Sequence, residues 1–354
     1  MNHFEKIAAR LKDRGLDAML ITSEPGEFYA MGFHGEGAAL ITPDKTWYYT
    51  DSRYIEAARQ LIAGAEVADW APGGGFRKLI AGLVKEHGVA KLGFEERYMS
   101  VASHTEWTKA VEAEFVPASE LLTQLRQVKD ADELAAMREA QRITDEALLE
   151  ILNFLKPGLT ESEVAARLTY IMARKGAERN SFDPIVACGA NGSKPHAVPG
   201  PAVIEKGQFV TMDFGCVVGG YCSDMTRTVA VGKPTEEMEL VYNTVLKAQL
   251  AGIAVARAGV TGKEVHQAGA KVIADAGYGD YFGHGFGHSL GIEIHEDPGF
   301  HNRNDKPIPA GALLSAEPGI YLPGRFGVRI EDVIMLTEEG CVDITRSPKQ
   351  LIIL

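Results

Sequence analysis

The stretch "VTMDFGCVVGGYCSDMTRT", Val210 to Thr228, decides the fold of the C-terminal part of the chain. It is apolar enough for a protein interior, yet Asp213 and Asp224 stand on either side of a Gly219-Gly220 pair. Paired glycines supply the positive φ of a two-residue hairpin turn. With that turn the two aspartates share one face of the hairpin, opposite or diagonal. Like charges so placed repel, and a desolvated pair would be forced to take up a proton. A multivalent cation removes that cost. Two exposed acids on a solvated sheet face fit poorly with Val210, Met212, Phe214, Val217 and Val218 around them.

The chain around this hairpin repeats itself. "GLTESEV" at 158–164 matches "GVTGKEV" at 259–265, an offset of 101. Each copy holds a capping box, Thr160 with Glu163 and Thr261 with Glu264, which predicts a helix start. Each predicted helix closes near a glycine, Gly176 and Gly277. "IEKGQFVTMDFG" at 204–215 then matches "IPAGALLSAEPG" at 308–319, an offset of 104 that sets Asp213 on Glu317. Four matches in register define two structural repeats, with acids converging near a pseudo-two-fold axis.

Further acids and histidines belong to the same pattern. Glu317 lies in "LLSAEPGIY" and Glu331 in "GVRIEDVIML", with Arg329 two residues earlier and so on the same strand face. An Arg329–Glu331 ion pair would account for one glutamate, but four acids in apolar strands need a partner or a metal. "GHGFGHSLGIEIHEDPG" carries His284, His288 and His295 among glycines that permit close backbone approach. His301 reads as a loop bystander, and His196, in "KPHAVPG", stands alone between prolines. Four carboxylates with one or two imidazoles select Mn²⁺, Co²⁺ or Zn²⁺ over thiolate chemistry, and their number favours two ions. Two ions about 3.5–4 Å apart can share a bridging hydroxide, a nucleophile at neutral pH. These residues define a two-metal hydrolase and leave peptide, phosphate and amide substrates open.

The rest of the chain is ordinary. Its 354 residues suit two domains, with 45% apolar and 24% charged residues. A formal charge of −12 and the lack of a basic run argue against nucleic acid as a partner. No segment approaches 18 uncharged apolar residues and the N-terminus lacks a signal-peptide core, so no membrane span and a cytoplasmic location are expected. Cys188, Cys216, Cys222 and Cys341 form no CxxC pair, and Cys216 and Cys222 fall out of register across the hairpin, so free thiols are expected.

Before residue 120 short elements alternate in an α/β pattern. Strands are expected at "DAMLI", "AALIT", "TWYYT" and "KLGFE", and helices around Phe4–Arg14, Tyr54–Ile62 and Phe76–His87. "PGGG" at 72–75 lacks a following Lys-Ser/Thr and reads as a loop, not a phosphate cradle. From Asp130 an apolar spacing of three and four residues predicts a long helix that stops at Pro157-Gly158.

Taken in order, "MDFG…GGYCSDMTRT", "GHGFGHSLGIEIHE", "AEPGIY" and "GVRIEDV" resemble the pita-bread metallopeptidases, and among them the bacterial Xaa-Pro peptidases, aminopeptidase P and Xaa-Pro dipeptidase (prolidase). The resemblance implies a creatinase-like α/β domain over residues 1–125. It also implies an α+β pita-bread catalytic domain with an internal pseudo-two-fold repeat over 126–354. By resemblance Asp213, Asp224, His288, Glu317 and Glu331 are the ligands of two divalent ions, Mn²⁺ first and Co²⁺ or Zn²⁺ as alternatives. Asp213 would chelate one ion, His288 and Glu317 the other, with Asp224 and Glu331 bridging. His196, His284 and His295 match substrate-side histidines, and Arg329 an arginine supporting the bridging glutamate.

The implied reaction is hydroxide attack on the carbonyl before proline, with Glu317 handling the proton and His295 helping to bear the oxyanion. Creatinase lacks these ligands, and methionine aminopeptidases generally lack the front domain. Some dipeptidases of this kind carry an arginine directly after His-Glu-x-Pro; here Gly299 stands there, with Arg303 nearby, which weakens the dipeptidase reading. The expected partners are a proline-containing peptide substrate and a second copy in a homodimer. Two alternatives remain at this level: a peptide-binding scaffold without turnover, and a hydrolase of a small non-peptide amide.

Overall fold

Alternation of apolar runs with amphipathic segments gives the first part of the chain a six-stranded mixed sheet. Its strands are β1 (Ala18–Ile21), β2 (Ala38–Ile41), β3 (Thr46–Thr50), β4 (Glu66–Asp69), β5 (Lys91–Phe94) and β6 (Glu114–Pro117), in the order β4-β3-β2-β1-β5-β6. The computed structural model describes residues 3–354, and the chain divides into two units between Arg126 and Gln127. Helices α1 (Phe4–Leu11), α2 (Glu24–Met31), α3 (Ile55–Leu61), α4 (Phe76–Glu86), α5 (Val101–Ala110) and α6 (Ser119–Gln127) accompany the sheet. The four expected strands and three expected helices are present, with the first helix ending as a 3₁₀ turn at Lys12–Arg14. The "PGGG" segment is a loop that ends at the N-cap of α4. Its core joins Leu20, Leu40, Trp47, Leu92 and Trp107.

The second unit opens on α7 (Ala131–Phe154), whose N-cap Asp130 forms a capping box with Glu133. Met137, Ile143, Leu148 and Ile151 face inward. The two expected capping boxes start α8 (Glu161–Arg174) and α10 (Gly262–Asp275), and α9 (Glu236–Val255) precedes the latter. Gly176 and Gly277 lie just beyond the two helix ends with positive φ.

The strands repeat as the helices do. β7 (Arg179–Asn180), β8 (Ile185–Cys188), β9 (Gln208–Phe214), β10 (Cys216–Val218), β11 (Tyr221–Cys222) and β12 (Met225–Val231) precede α9. β13 (Gly287–Ser289), β14 (Glu296–Phe300), β15 (Leu313–Ala316), β16 (Gly319–Leu322), β17 (Phe326–Arg329), β18 (Asp332–Leu336) and β19 (Cys341–Asp343) follow α10. The orders β12-β9-β8 and β18-β15-β13 correspond. So do small bonds: Gly158 N–H reaches Ile204 O at 2.9 Å, and Gly259 N–H reaches Ile308 O at 2.9 Å. The internal repeat and the expected fold are therefore both present.

The opening hairpin has its two-residue turn, with φ of 56° at Gly219 and 77° at Gly220. Asp213 pairs with Thr226, which leaves Asp224 diagonal to Asp213 on the same face. The hairpin is not one continuous ladder. β9 and β12 join β8, whereas β10 and β11 join β7, and the break falls at Gly215. All four cysteines are free thiols. Among the described residues no helix is long and apolar enough to cross a membrane.

Candidate metal centre

Asp213 enters the centre from β9, while Asp224 and Glu331 each sit in the residue before a strand, β12 and β18. Glu317 follows β15, and His288 lies on β13. A side chain at Gly287 would meet Ser315 O at 1.9 Å, so glycine lets the histidine strand press against β15. Ser315 Oγ accepts from His288 N–H at 3.0 Å and donates to Glu317 Oε1 at 3.0 Å.

The acids are close and dry. Exposure is 8% at Asp213, 4% at Asp224 and 1% at Glu331. Donor atoms of Asp224, His288 and Glu331 lie within 4.8 Å of one another. His288 Nε2 is 3.6 Å from Asp224 Oδ2 and 3.3 Å from Glu317 Oε1. Its Nδ1 faces the Ser289 carbonyl at 3.1 Å, an atom that can only accept, so Nδ1 carries the proton. The Nε2 lone pair then points at two carboxylates. That arrangement is repulsive unless a cation lies between them or a carboxylate takes up a proton.

Protonation follows the same logic. Burial pushes Asp224 and Glu331 well above the usual carboxylate range; Glu331 and Asp213 add to the rise at Asp224, Glu317 and Asp213 to that at Glu331. Burial also raises Glu317 and lowers His288. Among the described residues Asp213 Oδ1, Asp224 Oδ1 and Glu331 Oε1 are buried and lack a hydrogen-bond partner. Three orphaned oxygens beside an imidazole lone pair fit divalent cations, and no thiolate is among the donors.

Arg329, buried in the wall, makes its contacts in one direction. Nη2 pairs with Asp213 Oδ2 at 2.5 Å, Nη1 donates to Tyr321 Oη at 2.9 Å and to Pro195 O at 3.1 Å, and Nε donates to Thr226 Oγ1 at 3.0 Å. Burial opposes its charge, but Tyr321, Asp213 and Glu317 outweigh that and hold it firmly cationic. The ion pair with Glu331 allowed by spacing is replaced by one with Asp213. Glu331 Oε2 instead accepts from Thr226 Oγ1 at 2.7 Å.

The centre opens into a cleft of about 580 Å³ lined by all five candidate ligands, by Arg329 and by His196, His284 and His295. His196 and His295 are exposed in it. The rings of His295 and His288 meet edge to face at 4.4 Å. His284 has both ring nitrogens engaged, Nδ1 with Gly285 O at 2.8 Å and Nε2 with Tyr321 Oη at 2.9 Å. Burial lowers His284 and His295, so both are neutral bases near pH 7. His301, read as a loop bystander, lies in a loop that lines the cleft, and its buried Nδ1 has no hydrogen-bond partner among the described residues. Tyr321, Thr226 and Ser315 were not singled out in the sequence; "AEPGIY" holds the tyrosine, but nothing local marks its hydroxyl as a partner.

Residues 135–338 match metallopeptidase family M24, and residues 4–128 match the creatinase/prolidase N-terminal domain. The chain belongs to metallopeptidase family M24. The Xaa-Pro dipeptidase of Pyrococcus horikoshii is 32% identical to this M24 chain over 350 residues, 98% of each protein. An Xaa-Pro dipeptidase structure from Bacillus anthracis superposes with a TM-score of 0.95 at 43% identity, covering 99% of both chains. An X-Pro aminopeptidase from Thermotoga maritima gives 0.92 at 35% identity, over 98% of this chain and 100% of that one. The fold is thus a creatinase-type N-terminal domain with an M24 pita-bread domain, and the protein is a metal-dependent peptidase, a hydrolase.

Proposed function

We propose that this M24 peptidase is a two-metal exopeptidase that cuts the bond before proline, at the N-terminus of peptides or in Xaa-Pro dipeptides. The observation that carries the metal part is the set of orphaned buried oxygens of Asp213, Asp224 and Glu331, together with the His288 Nε2 lone pair, which faces Asp224 Oδ2 and Glu317 Oε1. Asp213, Asp224, His288, Glu317 and Glu331 would hold the ions, Mn²⁺ first and Co²⁺ or Zn²⁺ as alternatives. When bound, such ions polarise a carbonyl and make water a nucleophile near neutral pH.

The side chains divide the remaining work. Glu317, its carboxyl raised by burial, takes the proton from the attacking water and returns it to the leaving imino nitrogen. His295 and His196, exposed in the cleft, hydrogen-bond the peptide and the oxygen that gains charge. His284, held by Gly285 and Tyr321, serves the wall and orients Arg329 through that tyrosine. Phe182, Ile185 and Ile294 give the cleft an apolar side suited to a pyrrolidine ring, whose missing N–H demands no acceptor. Relatives named both dipeptidase and aminopeptidase support the Xaa-Pro class without choosing between them.

Arg303 lines the same cleft and is the natural partner for a free carboxylate, which favours dipeptides if it engages one. Digests of Ala-Pro, Gly-Pro and a longer Xaa-Pro-Xaa peptide, read by mass spectrometry, test the assignment. Cleavage of the dipeptides alone makes it a dipeptidase; release of the first residue from the longer peptide makes it an aminopeptidase P. No cleavage of any of them with Mn²⁺, Co²⁺ or Zn²⁺ present would sink the proposal. A homodimer is proposed with it, to be checked by sedimentation equilibrium.

A further inference from the structure

Behind the acid cluster, on the opposite face of the same strands, lies a second set of charges that the reaction does not use. Adjacent residues of a strand point to opposite faces. Thr226 and Glu331 face the metal centre, so Arg227 and Asp332 face away from it. Both are buried, with exposures of 1% and 0%. Arg227 Nη2 pairs with Asp332 Oδ1 at 2.7 Å. Asp332 Oδ2 accepts from Gln249 Nε2 at 2.8 Å and from Lys349 Nζ, and Lys349 also reaches Asp343 Oδ2 at 2.5 Å. Two cations therefore face two anions.

This cluster grips backbone at the ligand-bearing positions. Arg227 Nη1 donates to Glu331 O at 2.5 Å and Thr226 O at 3.0 Å; Nη2 also donates to Ser347 O at 2.8 Å, and Nε to Pro348 O at 2.8 Å. All five guanidinium donors are thereby used. Glu331 N–H is held by Thr226 O at 3.1 Å, so both polar groups of the Glu331 main chain are fixed. Gln249 Nε2 also bonds Ala316 O at 3.2 Å, in the residue before Glu317. A buried ion network is a poor stabiliser compared with well-packed apolar residues. The other repeat packs an apolar residue, buried Met225, directly after Asp224. Stability alone does not explain charge at only one of the two positions.

We propose that Arg227, Asp332, Lys349 and Gln249 are positioning residues for the metal centre, which tie Glu331 and the Ala316–Glu317 peptide to the 345–349 strap against the mutual repulsion of the acids. The inference rests on the two-metal reading. Its test uses Asp332→Asn, which keeps shape, and Lys349→Met, at a partly exposed position that tolerates change. Metal-free protein is titrated with Mn²⁺ by calorimetry, and the visible spectrum of the Co²⁺-loaded form is recorded.

The expected result is about tenfold weaker Mn²⁺ binding and an altered Co²⁺ spectrum in both folded variants, with recovery in Lys349→Arg. A control, Val241→Ala in the apolar core of α9, lowers the melting temperature and leaves both readouts unchanged. Binding within twofold of the parent with an unchanged spectrum in Lys349→Met overturns the inference alone, even if Asp332→Asn does not fold. A parent protein that binds neither ion overturns the two-metal reading and the inference together.

Discussion

The two repeats of the catalytic unit share a skeleton and differ in what they do with it. α7, α8, β8, β9 and β12 correspond to α9, α10, β13, β15 and β18, down to matched glycine hydrogen bonds at helix entry. Asp213 and Asp224 come from the first repeat; His288, Glu317 and Glu331 come from the second. Where β8 carries Val186 and Ala187, β13 carries the histidine. Where Met225 follows the first repeat's acid, Asp332 and its ion network follow the second's. Even the helix glutamines diverge: Gln249 is bonded, while the amide of buried Gln141 has no partner among the described residues. The first repeat supplies charge on an apolar scaffold. The second supplies the mixed ligands and, in Asp332, Gln249 and Lys349, the part of the holding network that Arg227 of the first repeat completes.

That asymmetry can be broken in order of effect. Asp224→Ala removes an acid common to the cluster and should lower kcat/KM by at least about 10³-fold, since the remaining donors lose a shared partner; steady-state assay with excess Mn²⁺ reads it, and full activity would end the two-metal account. Tyr321→Phe removes the hydroxyl joining Arg329 to His284. It should cost about 10–100-fold in metal affinity or activity, measured by calorimetry beside kinetics, and an unchanged enzyme would reduce the tyrosine to packing.

Protons provide the next comparison. Without ions, burial raises Asp224, Glu331 and Glu317, so the folded state binds more protons than the unfolded chain above about pH 4. Stability contributed by these groups is present at low pH and is lost as pH rises through their folded values. Lowered His284, His288 and His295 act oppositely, but only below about pH 6.5, where unfolded histidine holds its proton. Above that value the acids dominate. Above about pH 6.5 these histidines add no further gain, so thermal melts in EDTA should not rise from there upward, and a rising series would contradict the burial of these acids without a cation. The smallest effect tests the shared skeleton: Thr160→Ala and Thr261→Ala should each lower the melting temperature by about 2–4 °C. Clearly unequal shifts would show that the repeats rely differently on their caps.

Much of this skeleton was legible because its signals are local. A capping box spans four residues, a glycine pair defines its own turn, and both acted as read. The candidate ligands stood out because acids in apolar strands are expensive wherever the chain goes next. The partners were not legible. Arg329 could be matched with Glu331 by spacing, but only the fold brings Asp213 to its guanidinium. Thr226, Tyr321 and Lys349 are unremarkable in sequence, and their roles depend on partners from 6 to 105 residues away that only the fold brings into contact. In the front domain β4 and β6 escaped because they are sheet edges with only partly buried residues, which blunts the alternation of apolar and polar positions.

The orphaned oxygens of Asp213, Asp224 and Glu331 also bear on how long a copy of the protein lasts. A chain folded without ions keeps Asp224 and Glu331 either protonated or in mutual repulsion. A ligand that binds only the folded state stabilises it by mass action, by about 2.7 kcal/mol at a hundredfold excess over its Kd. Proteases act on the opened fraction, so pulse proteolysis with and without EDTA measures the difference. Shortage of the ion would thin the population of molecules before it slowed the survivors.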